Sequence, residues 1–309
     1  VKHSVLGHLS PQIFLNDYWQ KQPLLVRQAL PDYTSPCTPE ELAGLSLETE
    51  VESRLIVQDP TCAQWTLTHG PFTAADFESL PERHWTLLVQ AVDLWLPQVS
   101  ALKANFQFLP SWRLDDIMVS YAVPGGSVGP HFDYYDVFLL QVEGNREWQI
   151  GQACGPETTQ SSHGDLTLVD EFKTHESHLL TPGDMLYLPP KIAHWGIAKS
   201  DSLTFSIGFR APTLADLLGE LAAELSTNNA QTPVFDPALY ATAGGSQIDS
   251  AYVQHLQDLL LATINNPALI GDCIARYMTT PKYPDLVDIT GERRQAELDF
   301  QAYENGEPL

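Results

Sequence analysis

His131-Phe132-Asp133 sets two metal-ligating side chains one residue apart, and His194 closes the later stretch Gly183-Asp-Met-Leu-Tyr-Leu-Pro-Pro-Lys-Ile-Ala-His194. Two imidazoles and one carboxylate are the donor set that binds Fe(II) on one face and leaves positions open for substrate and oxygen. In a strand, alternate side chains share a face, so His131 and Asp133 would point one way and Phe132 the other. The third ligand must then come from elsewhere in the sheet. Met185-Leu-Tyr-Leu188 reads as a strand stopped by Pro189-Pro190, which puts His194 at a strand end or in the loop beyond.

An isolated His-x-Asp arises often by chance, and three further features strengthen this one. Gly125-Gly126-Ser-Val-Gly129-Pro130 precedes it and gives a tight approach that fixes where the segment begins. The Gly-Asp turn and strand before His194 repeat that arrangement. Arg146 lies in the next hairpin, Gly144-Asn-Arg-Glu-Trp148. A guanidinium in an apolar strand is costly unless paired. It serves either as a structural ion pair or strand-end cation, or as a bidentate clamp on the distal carboxylate of a dicarboxylate cosubstrate. A metal with open positions and a carboxylate anchor together suit 2-oxoglutarate chemistry.

Other candidates carry less. His163, His175 and His178 compete with His194 as third ligand, but they lie in a polar, acidic stretch with no buried strand beside them. Tyr134, Tyr135 and Asp136 follow the metal motif and suit a substrate guanidinium; the favoured alternative packs Tyr135 in the barrel and pairs Asp136 with a structural cation. Trp195 reads as pocket wall.

The elements that must position these groups change character along the chain. Ser10-Pro11 opens a helix carrying Ile13, Phe14, Tyr18 and Trp19, Leu24–Val26 forms a short strand, and Trp85–Leu96 reads as a helix with Leu88, Val92 and Trp95 on one stripe. From Asp116 the period becomes that of strands: Ile117–Val123, Val137–Val142, Arg146–Ile150, Met185–Leu188 and Leu203–Phe209. The predicted fold is mainly β with α, a jelly-roll or cupin-like barrel with a helical lead. After Pro212 the pattern turns helical. Thr213 and Asp216 resemble a capping box before Leu214, Leu217, Leu218, Leu221 and Leu225, and a Gly244-Gly245 break follows. Ser250 caps a second helix with Val253, Leu256, Leu260 and Ile264, and Asn266-Pro267 opens a third. The expected division is a barrel domain over 1–212, a helical region over 213–280 read as a dimerisation module in preference to a lid on the barrel, and a polar linker or tail over 281–309 without a clear terminal element.

The sequence holds 16 basic and 39 acidic residues, a formal charge of −23, within 309 residues. Such a surface repels nucleic-acid phosphates and anionic lipid and favours basic partners. Cys37, Cys62, Cys154 and Cys273 are scattered, which speaks against a zinc ribbon or disulfide framework. With no apolar leader and no membrane-length stretch, a soluble cytoplasmic protein is expected, without direct nucleic-acid or membrane binding.

His131-x-Asp133…His194, the Pro-Gly-Gly-Ser-Val-Gly-Pro lead, Asp136-Val-Phe-Leu-Leu-Gln and Ser206-Ile-Gly-Phe-Arg-Ala-Pro212 together resemble the JmjC-type ribosomal oxygenases. The likeness is strongest to their bacterial branch of arginine hydroxylases acting on large-subunit ribosomal protein sixteen. It extends through Trp19-Gln-Lys-Gln-Pro, Glu40-Glu-Leu-Ala-Gly-Leu, His69-Gly-Pro-Phe and Leu87-Leu-Val-Gln-Ala-Val92 into the helices after Pro212. The resemblance implies a double-stranded β-helix barrel, a homodimer formed through the helical region, and a winged-helix domain that 281–309 would only lead into. It implies Fe(II) held by His131, Asp133 and His194, 2-oxoglutarate held by Arg146 with Ser120 as a second contact, and a basic large-subunit ribosomal protein as substrate. Thr204 and Ser206, alternating onto one strand face, are expected to line the pocket. Two rival readings are a cosubstrate-independent metal enzyme on the same barrel and a non-catalytic acidic module that only holds ribosomal proteins.

Overall fold

Ser10 accepts from the Ile13 amide and so starts α1 (Pro11–Asp17), whose buried residue is Phe14. The lead continues through β1 (Leu24–Val26) and α2 (Pro39–Leu45), where Thr38 and Glu41 close a reciprocal capping box. β2 (Ser53–Asp59) and β3 (Gln64–His69) form a hairpin, and α3 (Ala74–Glu78) follows. The next segment departs from the helix expected over 85–96. Trp85–Val89 is a strand, β4, seated between β2 and a later strand, and only Val92–Trp95 (α4) and Pro97–Ser100 (α5) are helical. The physical reason is burial on both faces. Four of the five β4 residues are buried, so no period-two alternation marks the strand, and Leu88, Val92 and Trp95 matched helical spacing by coincidence.

The computed structural model describes residues 5–61, 64–229, 248, 250–299 and 301–309, so the Gly244-Gly245 break and Cys62 lie outside the described residues. The remaining strands of the barrel are β5 (Leu114–Ala122), β6 (Val137–Glu143), β7 (Arg146–Ala153), β8 (Gln160–His163), β9 (Leu166–Val169), β10 (Glu176–Leu180), β11 (Met185–Leu188), β12 (Ile192–Ala198) and β13 (Ser202–Phe209). They build one antiparallel sheet of order β1-β11-β6-β13-β5-β4-β2-β3 and a smaller one of order β10-β7-β12, with β8–β9 as a separate hairpin.

Register decides which side chains face which way. Thr86 pairs with Ala122, Leu88 with Ser120, Thr204 with Ser120 and Ser202 with Ala122, so these residues share one face of the large sheet. The opposite face, with Leu87, Val89, Ile117, Val119, Phe138, Leu140, Tyr187, Phe205 and Ile207, packs on Phe14, Phe106 and the rest of the lead. Between the two sheets, Val137, Leu139, Leu186 and Leu188 meet Trp148, Ile150 and Leu180. The lead thus plugs one side of the large sheet, and the small sheet covers the other. That second side carries the polar residues.

Compactness divides the chain into Val1–Ala211 with Asp288–Glu292, and Pro212–Val287 with Arg293–Leu309. In the second unit, Thr213 and Asp216 cap α6 (Leu214–Asn229) reciprocally, and Asn266 caps α8 (Pro267–Thr279) after α7 (Ser250–Ile264). The tail is not featureless. β14 (Gln295–Leu298), β15 (Gln301–Glu304) and β16 (Glu307–Pro308) form a three-stranded meander in the same unit. Its strands are short and their alternation polar, with Tyr303 the one buried residue, bonded through its hydroxyl to Asp272 of α8. Nothing in the apolar pattern announces such strands. No helix among the described residues is long and apolar enough to cross a membrane.

Candidate active site

The approach to the site is set by two glycines. A Cβ at Gly126 would lie 2.2 Å from the Trp85 carbonyl oxygen, and Gly129 has φ +78°. Past Pro130 the chain is extended but is not a regular strand: His131 makes a lone bridge with His194, its N–H donating to the His194 carbonyl at 3.0 Å and its carbonyl accepting from the His194 N–H at 2.8 Å. His194 itself is inside β12, beside a register shift after Ile192. The strand expected for 131–133 is therefore one bridge long, and it suffices to hold the three side chains together.

One ligand atom from each of His131, Asp133 and His194 lies within 4.8 Å of the others, the one such group of three among the described residues. The imidazole centroids are 4.3 Å apart, and His194 Nε2 lies 3.6 Å from Asp133 Oδ2. His131 Nδ1 is 3.0 Å from the Gly129 carbonyl and His194 Nδ1 is 2.9 Å from that of Ile192. A carbonyl only accepts, so each Nδ1 carries a proton, and in the neutral ring it is Nε2 that keeps its lone pair free. Burial, then the neighbouring His131, pushes His194 down to about 4, so it is neutral at physiological pH and no ion pair with Asp133 forms. Two free imidazole lone pairs beside a carboxylate form a donor set that fits a divalent cation, with ring orientation fixed by backbone as metal-binding histidines require.

The rival histidines fall elsewhere. His178 bonds Glu176 at 2.9 Å, and His163 lies on β8 near Ser161. Asp136 is fully buried and bonded by Tyr187 Oη at 2.5 Å and Gln20 Nε2 at 3.0 Å, with Arg113 at 3.8 Å. It is a structural carboxylate. Trp195 donates its indole N–H to Ser127 at 2.8 Å and meets Phe172 edge-on, as a wall does. Tyr134 is 61% exposed, with the Lys191 ammonium 6.0 Å from its ring. Tyr135 bonds Asp133 through its hydroxyl; burial of that end, with Asp133 and Asp116 nearby, raises its pKa.

Arg146 starts β7 and is 5% exposed, turned into the space between the sheets. Its Nη1 donates to Ser120 Oγ at 3.2 Å and Nη2 to Ser202 Oγ at 3.5 Å, while Nε has no partner. Among the described residues no carboxylate lies within ion-pair distance of it, and burial pulls it down to about 10, still protonated at neutral pH. The structure brings Ser120 to Arg146 as its hydroxyl neighbour. Thr204 instead bonds Gln141 at 3.0 Å, and Ser206 is half-buried on the same face, opposite Met118 and Leu139. Ser202 escaped the sequence reading, although it continues the two-residue period of Thr204 and Ser206. Trp148, two residues after Arg146, escaped it too: its ring lies 5.9 Å from the Arg146 guanidinium and 5.9 Å from the His194 ring.

A JmjC domain model matches residues 101–217. The ribosomal protein uL16 3-hydroxylase of Escherichia coli strain K12 is 38% identical over 259 residues, covering 82% of this chain and 67% of the relative. The probable ribosomal oxygenase of Haemophilus influenzae is 42% identical over 212 residues, 68% of this chain and 52% of that protein. The chain thus spans two thirds of one curated relative and about half of the other. The solved structure of E. coli ycfD superposes with a TM-score of 0.87 at 32% identity, over 98% of this chain and 86% of that one. A further E. coli YcfD structure, a complex with cobalt and 2-oxoglutarate, gives 0.85 at 31% identity over the same shares.

Proposed function

The chain belongs to the JmjC-domain ribosomal oxygenases, and we propose that it hydroxylates an arginine side chain of a basic large-subunit ribosomal protein, using Fe(II) and 2-oxoglutarate. The observation that carries this reading is Arg146, a buried cation whose hydrogen-bond partners among the described residues are the Ser120 and Ser202 hydroxyls, on the same inner face as His194 of the His131–Asp133–His194 cluster. Such a cation calls for an anion from outside.

His131, Asp133 and His194 would hold the metal through two Nε2 lone pairs and a carboxylate oxygen. Arg146 would clamp the distal carboxylate of the cosubstrate, steadied by Ser120, with Ser206 lining the same face. Bound there, Fe(II) and 2-oxoglutarate supply the oxygen activation, with succinate and CO2 as co-products. The chain's own residues bind and orient; none needs to act as a general base. The Gly129 and Ile192 carbonyls fix the ring orientations, and Tyr135 fixes Asp133. At the rim, Tyr134 and Tyr135 offer aromatic faces near Asp133 and Asp116, a setting that suits a guanidinium. The −23 charge steers a basic ribosomal protein toward this acidic molecule, in the cytoplasm where such proteins are made. The helices over 213–280 are proposed to join two copies.

Turnover tests the reading. Purified protein with Fe(II), ascorbate, 2-oxoglutarate and a uL16 peptide should release succinate and add one oxygen to the peptide, at an arginine by fragmentation mass spectrometry. Binding of the peptide without succinate or mass gain would leave only a holding module, and oxygen on another side chain would remove the arginine assignment.

A further inference from the structure

Trp148 carries a second unused donor beside Arg146. It is 4% exposed, and its indole N–H has no acceptor. Two half-buried indoles do find acceptors: Trp85 donates to the Pro81 carbonyl at 2.8 Å and Trp195 to Ser127 at 2.8 Å. Trp148, next to the cluster, is the one indole among the described residues whose N–H is fully buried and unpaired. Leaving a buried donor unpaired is costly, so this indole N–H points to an acceptor that arrives with a ligand.

The ring is held in place for this. Trp148 shares the inward face of β7 with Arg146 and Ile150, and it packs on Gly196, where a Cβ would sit 2.7 Å from the ring. Its face lies 5.9 Å from the Arg146 guanidinium carbon. Arg146 Nε and Trp148 Nε1, on side chains two residues apart on one face of β7, are thus both buried donors without partners. A carboxylate has two oxygens. We infer that Trp148 donates its indole N–H to the same distal carboxylate that Arg146 clamps, and so helps the pocket select 2-oxo dicarboxylates over 2-oxo monocarboxylates.

This inference rests on the 2-oxoglutarate reading, and the experiment separates the two. Protein loaded with Mn(II) without oxygen is titrated calorimetrically with 2-oxoglutarate and with 2-oxobutyrate, which lacks the distal carboxylate. Trp148→Phe keeps an aromatic ring and removes the donor. It should weaken 2-oxoglutarate by about tenfold, as loss of a buried hydrogen bond to a charged group does, and leave 2-oxobutyrate within about twofold. If Trp148→Phe does not fold, the benzothiophene analogue of tryptophan at this position, with sulfur in place of N–H, gives the same comparison at constant volume. Unchanged 2-oxoglutarate affinity, or equal losses for both acids, would overturn the role given to the indole. Wild-type protein that binds neither acid would overturn the 2-oxoglutarate reading and this inference with it.

Discussion

A guanidinium that is 5% exposed and hydrogen-bonded to two hydroxyls, with no carboxylate beside it among the described residues, is expensive to bury. Its fall from 12.5 to about 10 on burial corresponds to about 3 kcal/mol of lost solvation. Arg146→Met fills similar space without the charge. The ligand-free variant should therefore unfold at equal or higher temperature than wild type, because replacing buried charge by apolar side chains is often stabilising. At the same time its affinity for 2-oxoglutarate should fall by about a hundredfold, through loss of the bidentate charge-assisted pair. Differential scanning calorimetry and isothermal titration on one preparation read both. A variant that is less stable yet binds as well as wild type would make Arg146 structural.

At the scale of elements, the turn that launches β11 ties the strand to the lead. Asp184 is 1% exposed; burial alone would raise its pKa, but bonds from the Gln28 and Thr181 amides and from Arg27 outweigh this, and the net pKa is lowered. The folded value thus lies below the unfolded value of about 3.9. Its stabilisation is fully present above that unfolded value and lost as pH falls through the folded one. Asp184→Asn should cost about 2 kcal/mol at pH 7, and the gap from wild type should close below about pH 4. Denaturant titrations at several pH values measure it, and a constant gap would show that the carboxylate's charge is irrelevant.

The His131, Asp133 and His194 cluster and Arg146 were legible in the sequence because donor chemistry is written in residue type, and because a charge in an apolar strand stands out. The orphan indole of Trp148 was invisible, since a tryptophan in a strand usually means packing. β4 was misread because burial on both faces erases the alternation by which strands are recognised. The lone bridge at His131 could not be anticipated either. Its partner lies sixty-three residues on, and local pattern carries no such pairing.

At the scale of the whole molecule, the unexplained surface is helical. α7 has no buried residue among those described, yet Val253, Leu256, Leu260 and Ile264 recur at helical spacing, and Val253, Leu260 and Ile264 are 53%, 66% and 43% exposed. Leu214 and Leu218 of α6 are 73% and 50% exposed. An amphipathic helix draws its stability from covering such a stripe, so a lone copy of this unit is under-packed. A second copy would present the same stripe, and a two-fold axis pairs like with like. The expected result is a dimer at micromolar concentration by sedimentation velocity. Leu260→Glu should shift it to monomer, since burying an unpaired carboxylate at a symmetric contact places two like charges together. Because α7 belongs to a compact unit separate from the barrel, the monomeric variant should keep wild-type affinity for 2-oxoglutarate. Wild-type protein sedimenting as a monomer would leave that stripe for some other partner and end the proposal of a paired molecule.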